Sequence, residues 1–123
     1  YPLPRFAATQ KRKQVLVEEC ARIFDEVDVL LCPTTAVPAF PAGGPPPSTI
    51  NGRELSTPAM ATPFTMLANL CWNPAASVPA GRSSDGLPIG LQIIGPRHRD
   101  DIVMRLARIF EQAQPWPRLA TAP

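Results

Sequence analysis

Two apolar strand-like segments joined by a glycine-containing turn constrain the fold of this sequence more than any other feature. They read AASVPAG and LPIGLQIIG, and the RSSDG between them carries an Asp-Gly pair typical of tight turns. Alternation places the apolar residues of the second segment on one face, and Pro88, Gly90 and Gln92 on the other. Prolines in sheets are confined to ends, edges and bulges, and a glycine within a strand often marks a close approach by other structure. We therefore predict a hairpin over residues 76 to 94 that packs closely against another part of the protein.

Two helical patterns and a buried strand accompany the hairpin. Apolar residues recur at the spacing of one helix face over residues 10 to 25, and the VDVLLCP that follows predicts a strand at residues 27 to 32, buried on both faces. An apolar stripe predicts another helix over residues 100 to 113. We expect the strand and the hairpin to share one sheet, with both helices packed on it. The predicted fold class is α/β, with a mixed sheet flanked by amphipathic helices.

The segment between the buried strand and the hairpin is rich in proline. Residues 33 to 49 hold six prolines and two glycines without periodicity, which predicts a loop, and long loops often border functional sites. The Asn51-Gly52 pair then predicts a tight hairpin turn. Two Thr-Pro pairs follow, each typical of a helix N-cap with proline at the first helical position. We favour the second pair, which predicts a helix that begins at Pro63 and ends near Trp72.

Length, charge and cysteine content limit the class of protein. The 123 residues suit a single domain, or a fragment of a larger one, since the chain opens without an initiating methionine. A net charge of +2 is too small to argue for nucleic-acid or membrane binding, and no apolar run approaches the roughly 20 residues of a spanning helix. Cys20, Cys32 and Cys71 lack any CxxC spacing, so we expect buried free thiols in a protein of the reducing cytoplasm.

Residues that catalyse acyl transfer or bind metal are scarce. A Ser-His-Asp arrangement would depend on His98 alone, which lies between arginines just before the last predicted helix, where we expect solvent exposure. Lys11 and Lys13 belong to a charged helix face, and Ser77 has no base nearby in sequence. One histidine and scattered cysteines offer no metal-ligand spacing, and no glycine-rich phosphate loop leads into a helix. We therefore expect no catalytic residue, no metal site and no cofactor within this chain.

The motifs FDEVDVLLCPTTAVPA, NGREL, TPFTMLANLCWNPAASVPAG and GLPIGLQIIGP follow one another before a final amphipathic helix that ends FEQAQPW. In this order they resemble the C-terminal part of amidases of the amidase-signature family, from about Arg5 to Trp116. The sequence departs from the family at Trp72, where many members carry glycine in an N-x-x-G-x-P run. A bulky indole there implies either a reshaped pocket wall or extra core packing.

The resemblance implies a function that this chain does not carry out alone. Family members hydrolyse carboxamide C–N bonds with a serine nucleophile, a second serine on a cis peptide and a lysine base, all upstream of the matched region and without counterparts here. The chain is therefore expected to be the C-terminal segment of an amidase, inactive by itself, with a small-molecule amide as the substrate of the whole enzyme. A non-enzymatic regulatory or partner-binding module is the alternative, and a component of a transfer-RNA transamidation enzyme ranks below a free-standing amidase. We expect no nucleic-acid or membrane partner and leave a homodimer open.

Four residues are predicted to line the substrate pocket of the assembled enzyme. Thr34 and Thr35 follow the buried strand, and ligands of open α/β sheets bind beyond the carboxyl ends of strands. Asn69 and Trp72 lie at a helix end, where an amide and an aromatic wall can both face a cleft. The alternative for the second pair is that Asn69 caps its own helix and Trp72 fills the core.

Overall fold

The computed structural model describes residues 2–117, which form three α-helices, five strands and a 3₁₀ turn within that range. No helix in these residues is both long and apolar enough to cross a bilayer. We number the elements in chain order as α1 (Leu3–Glu26), β1 (Leu30–Pro33), β2 (Thr49–Ile50), β3 (Arg53–Glu54), α2 (Thr65–Cys71), β4 (Ala75–Arg82), β5 (Pro88–Ile94) and α3 (Asp100–Ala113), with the 3₁₀ turn at Pro58–Ala61.

β5 is the central strand of an antiparallel sheet with the order β1-β5-β4. Its pairing with β4 and with β1 confirms that the predicted strand and hairpin share one sheet. Ile93 lies opposite Leu31 on β1 and opposite Ala76 on β4. On this face α3 covers the sheet, and Val78, Ile93 and Val103 form the buried core there. The predicted α/β fold class is confirmed, but the sheet is antiparallel throughout instead of mixed.

The other face of the sheet meets α2, and α1 packs outside α2. The side chain of Gln92 on β5 is only 5 % exposed, and its Nε2 donates a hydrogen bond to the carbonyl oxygen of Phe64 at 3.0 Å, just before α2. The closest neighbour of α1 is α2 rather than the sheet, with the buried residues Cys20 and Cys71 at the contact. The sheet is thus covered on one side by α3 and contacted on the other by the start of α2, and the prediction that the first helix also packs on the sheet is wrong.

Local turn chemistry explains both hairpins as predicted. Asn51 and Gly52 join β2 to β3 with φ angles of 54° and 75°, the left-handed pair that favours Asn-Gly in two-residue turns. Gly86 has a φ of 79° in the turn between β4 and β5. Pro88 begins β5, and Pro79 stands at a register shift in β4, so both prolines lie where strand pairing tolerates them.

Three element boundaries differ from the sequence-based predictions. The first helix begins at Leu3 instead of residue 10, because a proline is accommodated in the first helical turn, where its missing N–H has no intrahelical partner. The first strand begins at Leu30 instead of residue 27, because Val27 still caps α1 through its N–H. The prediction that it is buried on both faces is wrong, because β1 is an edge strand and its Leu31 is 56 % exposed. The middle helix begins at Thr65 instead of Pro63, and the first Thr-Pro pair starts the 3₁₀ turn.

A glycine-to-alanine substitution tests how closely the sheet is packed at Gly90. A Cβ atom there would come within 2.6 Å of Thr34 Oγ1 and 2.7 Å of Ser77 Oγ. Gly90→Ala should therefore lower the free energy of unfolding by about 1–3 kcal/mol, the usual cost of overpacking. Gly43→Ala is the matched control, because a Cβ at Gly43 meets nothing within 4 Å. Equal denaturant midpoints for the two variants would contradict this packing.

Candidate functional site

Two hydroxyl groups meet above Gly90, near the start of the central strand β5. Thr34 follows β1 directly, and its N–H donates to the carbonyl oxygen of Gly90 at 2.9 Å. This anchor brings Thr34 Oγ1 to 2.6 Å from Ser77 Oγ on β4, so that the two hydroxyls share one hydrogen bond. One shared hydrogen bond leaves a second O–H hydrogen available as a donor and lone pairs available as acceptors. Only a glycine between them gives these side chains room to touch.

A buried amide extends this polar patch across the sheet. Gln92 on β5 lies opposite Ser77 on β4 and opposite Cys32 on β1. Its Nε2 donates to Cys32 Sγ at 3.2 Å as well as to Phe64. Buried amides are stable only when they are hydrogen-bonded, so these contacts hold the Gln92 side chain in one orientation. The face of the sheet toward α2 therefore carries a fixed row of polar side chains.

An open, mostly apolar cleft of about 450 Å³ lies beside the end of β1. The C-terminal half of β1, the start of β5 and the loop after β1 line it, with Leu31, Thr35, Val37 and Ile89 among the contributors. Thr35 Oγ1 donates to the carbonyl oxygen of Val37 at 2.8 Å, which gives the loop a tight turn. An apolar cleft with a few placed polar groups has the usual composition of a small-molecule pocket.

A second cavity of about 410 Å³ lies near the other end of β5 and involves the end of α2. Asn69, Trp72, His98 and Asp100 contribute to its lining. Asn69 Nδ2 donates back to the carbonyl oxygen of Thr65 at 2.9 Å, so this side chain is tied to its own helix. His98 is exposed, as expected from the sequence.

Trp72 ends α2 in a conformation that few tryptophans adopt. It is the C-terminal cap of the helix, with φ 62° and ψ 33°, the left-handed region in which glycine commonly ends helices. Its side chain is 70 % exposed, so the prediction that Trp72 fills the core is wrong for this chain. Lys13 Nζ lies 5.1 Å from the ring centroid, in the range of a cation–π contact. The indole is thus held on the surface, beside the second cavity.

The two residues that flank Asp100 in the sequence form a surface ion pair. Arg99 and Asp101 form two hydrogen bonds at 2.9 and 3.0 Å, and Arg99 lowers the pKa of the Asp101 carboxyl. Both groups are solvent-exposed, so the pair adds little to stability. Within residues 2–117, no group of three His, Cys, Asp or Glu side chains is arranged to hold a metal ion.

The four predicted pocket residues fall into two pairs at opposite ends of β5. Thr34 is bound to Gly90 near the start of that strand, and Thr35 lines the apolar cleft beside it. Asn69 and Trp72 line the cavity near the far end, where the N–H of Gly95 donates to the carbonyl oxygen of Pro74, which directly precedes β4. The structure therefore places the two members of each pair close together, but the two pairs lie apart. Their contact with a substrate stays a prediction.

Sequence reasoning missed two residues of the polar patch, Ser77 and Gln92. The glycine within β5 did predict a close approach at this point, but not which side chains make it. Ser77 and Thr34 are 43 positions apart, and only the pairing of three strands brings them together. The sequence signal that could have found Gln92 is the alternation of apolar residues along the hairpin, which places Gly90 and Gln92 on one face.

The family model for amidases matches this chain over residues 4–104. Among curated relatives, a glutamyl-tRNA(Gln) amidotransferase subunit of a Cyanothece species is 35 % identical over 90 % of this chain and 22 % of its own length. The acylamidase of Rhodococcus erythropolis is 41 % identical over 75 % of this chain and 19 % of its own length. The chain therefore spans about a fifth of the length of these relatives.

Solved structures match the fold over nearly the whole chain. A bacterial aryl acylamidase of the amidase-signature enzymes superposes with a TM-score of 0.81 at 37 % identity, over 94 % of this chain and 24 % of its own. The corresponding glutamyl-tRNA(Gln) amidotransferase subunit of Thermotoga maritima gives a TM-score of 0.74 at 35 % identity, over 92 % of this chain and 23 % of its own.

Substitutions at Trp72 separate backbone strain from side-chain contacts. Trp72→Gly and Trp72→Ala both remove the indole and its contact with Lys13, but only glycine relieves the left-handed conformation. Trp72→Gly should exceed Trp72→Ala in free energy of unfolding by about 1 kcal/mol. Chemical denaturation of the two variants measures the difference. A Trp72→Gly variant no more stable than Trp72→Ala would mean that this helix end is not strained.

Proposed function

Since this chain belongs to the amidase-signature family, we propose that it is the C-terminal segment of an amidase that hydrolyses carboxamide C–N bonds to a carboxylate and ammonia or an amine. The match of the amidase family model over most of the chain carries this proposal. Related proteins include an acylamidase and an aryl acylamidase, whose names refer to amide cleavage. The polar patch over Gly90 and the neighbouring apolar cleft are compatible with a pocket wall for such a substrate.

The catalytic groups are proposed to come from the rest of the enzyme. Amide hydrolysis through an acyl-enzyme needs an activated nucleophile, a base and donors for the oxyanion. In this chain the hydroxyl of Ser77 is hydrogen-bonded to Thr34 rather than to a base, and Lys13 lies over an aromatic ring. The proposed serine nucleophile, second serine and lysine therefore lie outside these residues, and the chain is inactive alone. It requires no cofactor.

The proposed role of this chain is to shape the substrate pocket. Thr34 and Thr35 would contact one part of the bound amide, since they stand at the carboxyl end of β1 beside the apolar cleft. Asn69 and Trp72 would contact a different part, since they line the cavity at the other end of β5. We propose a small-molecule amide as the binding partner of the whole enzyme. A homodimer and a location in the cytoplasm are further parts of this proposal.

A second candidate is a subunit of a transfer-RNA amidotransferase. Identities of 35 % with glutamyl-tRNA(Gln) amidotransferase subunits favour it. Such a subunit would act with partner subunits on the glutamyl-tRNA(Gln) that the names of these relatives give. A non-enzymatic module of the same architecture is the remaining alternative, and it would show no amide hydrolysis in any assembly.

The whole protein that contains this chain should hydrolyse amides, and the chain alone should not. We expect release of amine from anilides or of ammonia from carboxamides by the whole protein, because it supplies the catalytic groups. Gly43→Ala is the control and should leave the rate unchanged, because a Cβ atom at Gly43 meets nothing within 4 Å. Turnover by residues 1–123 alone, lost on His98→Ala, would contradict the proposal. Hydrolysis only with charged transfer RNA and partner proteins would favour the second candidate.

Trp72→Gly in the whole enzyme tests the proposed pocket role. The smaller residue should shift the ratio of kcat/KM between bulky and small amides toward the bulky ones, because an aromatic wall is removed. Thr35→Ser is the complementary variant at the apolar cleft, where it keeps the hydroxyl and removes one methyl group. An unchanged ratio in both variants would exclude these residues as substrate contacts.

A further inference from the structure

Two buried thiols meet where α1 packs on α2. Cys20 on α1 is 2 % exposed, and Cys71, the last residue of α2, is 1 % exposed. Cys71 Sγ lies 3.8 Å from the carbonyl oxygen of Leu16, the residue one turn before Cys20 on α1. Cys20 Sγ in turn lies 3.4 Å from Oδ1 of Asn73, which stands two residues after Cys71. Two cysteines that are distant in sequence therefore face each other across one helix contact.

This thiol pair is part of a chain of contacts that joins three elements. Cys20 Sγ donates to Asn73 Oδ1 at 3.4 Å, and Asn73 Nδ2 donates to the carbonyl oxygen of Gly95 at 2.8 Å. The helix α1, the connection from α2 to β4, and the end of β5 are thereby linked. A change in the bonding of the sulfur atoms would therefore alter the contacts of α1, of the connection from α2 to β4 and of the end of β5.

The docked thiols are protected from oxidation. Burial raises the pKa of Cys20 to about 11, and the neighbouring Cys71 adds to the rise, so Cys20 stays a neutral thiol at physiological pH. The thiolate is the nucleophile in thiol chemistry, and a buried neutral thiol reacts slowly. Both sulfurs become reactive only where solvent reaches them, which requires α1 to separate from α2.

We propose that Cys20 and Cys71 form a redox pair that a hydroperoxide converts to a disulfide when α1 loosens from α2 and then docks again. In the open state one thiolate attacks the peroxide oxygen, the O–O bond breaks, and the products are a sulfenic acid and, for hydrogen peroxide, water. When α1 docks again, the second thiol attacks the sulfenic sulfur, an S–S bond forms, and a second water leaves. Both sulfurs are oxidised by one electron each, and the peroxide is reduced by two.

The disulfide would fix the end of α2 against α1. It would also remove the S–H that Cys20 donates to Asn73, next to the helix end where Asn69 and Trp72 line the second cavity. The oxidised form therefore holds α1 in the docked position. Because the disulfide forms only after α1 has separated from α2, its presence shows that the contact had opened. This thiol chemistry does not depend on amide hydrolysis.

Thiol mapping of the whole protein tests the redox pair. Reduced protein is treated with hydrogen peroxide, unfolded in the presence of N-ethylmaleimide, and digested for mass spectrometry. We expect a linked peptide containing Cys20 and Cys71, labelled Cys32, and reversal by dithiothreitol. Mild warming or low denaturant should speed the linkage, because both increase the population with α1 undocked. The oxidised protein should melt several degrees higher than the reduced protein, because the cross-link closes a long loop.

Alanine variants provide the controls. Cys32→Ala should still form the linked peptide, whereas Cys20→Ala and Cys71→Ala should form none and should leave the remaining thiol labelled or oxidised to sulfinic acid. Three labelled thiols in the wild type, under conditions that fully oxidise a free cysteine, would overturn the proposal. Linkage to Cys32, or linkage between two molecules seen on a non-reducing gel, would also overturn it. None of these readouts requires turnover, so they are independent of whether the protein is an amidase.

Discussion

The structure depends on the complete pairing of β5, which has a strand on each side and a helix layer on each face. Ile93 and Ile94 are 1 % and 2 % exposed, and Gln92 between β1 and β4 is 5 % exposed. Burying these side chains requires all three strands and both helix layers at once, and each buried aliphatic side chain contributes about 1.5–3 kcal/mol. The only buried polar group of this strand, the Gln92 amide, is satisfied by Phe64 and Cys32. β5 therefore aligns the α2 layer with the sheet.

The same strand organises the candidate site. Gly90 leaves room for the hydroxyls of Thr34 and Ser77, and the start of β5 also lines the apolar cleft. Trp72 and Asn69 depend on β5 indirectly, through the connection from α2 to β4 that is bound to Gly95. The two candidate surfaces are thus fixed by the two ends of one strand. We infer from this geometry that they would engage a bound amide from two directions.

Features governed by neighbouring residues could be predicted from the sequence. The Asn-Gly turn, the position of Pro88, and the sheet shared by β1 and the β4–β5 hairpin all follow from backbone preferences and alternation. Boundaries were predicted less well, because a proline within the first helical turn and a valine cap shift them by several residues. The contact of Thr34 with Ser77 and the surface position of Trp72 could not be predicted. The first depends on strand register, and the second on a left-handed helix end that tryptophan rarely occupies.

We propose that this chain completes an amidase whose catalytic groups lie elsewhere in the protein. Reconstitution tests it most directly: the remainder of the protein and residues 1–123 are produced separately, mixed, and assayed for amide hydrolysis. We expect no turnover by either part and turnover by the mixture, reduced by Gly90→Ala in the chain, which disturbs the hydroxyl pair over β5. Full activity of the remainder without this chain, or activity of the chain without the remainder, would contradict the account.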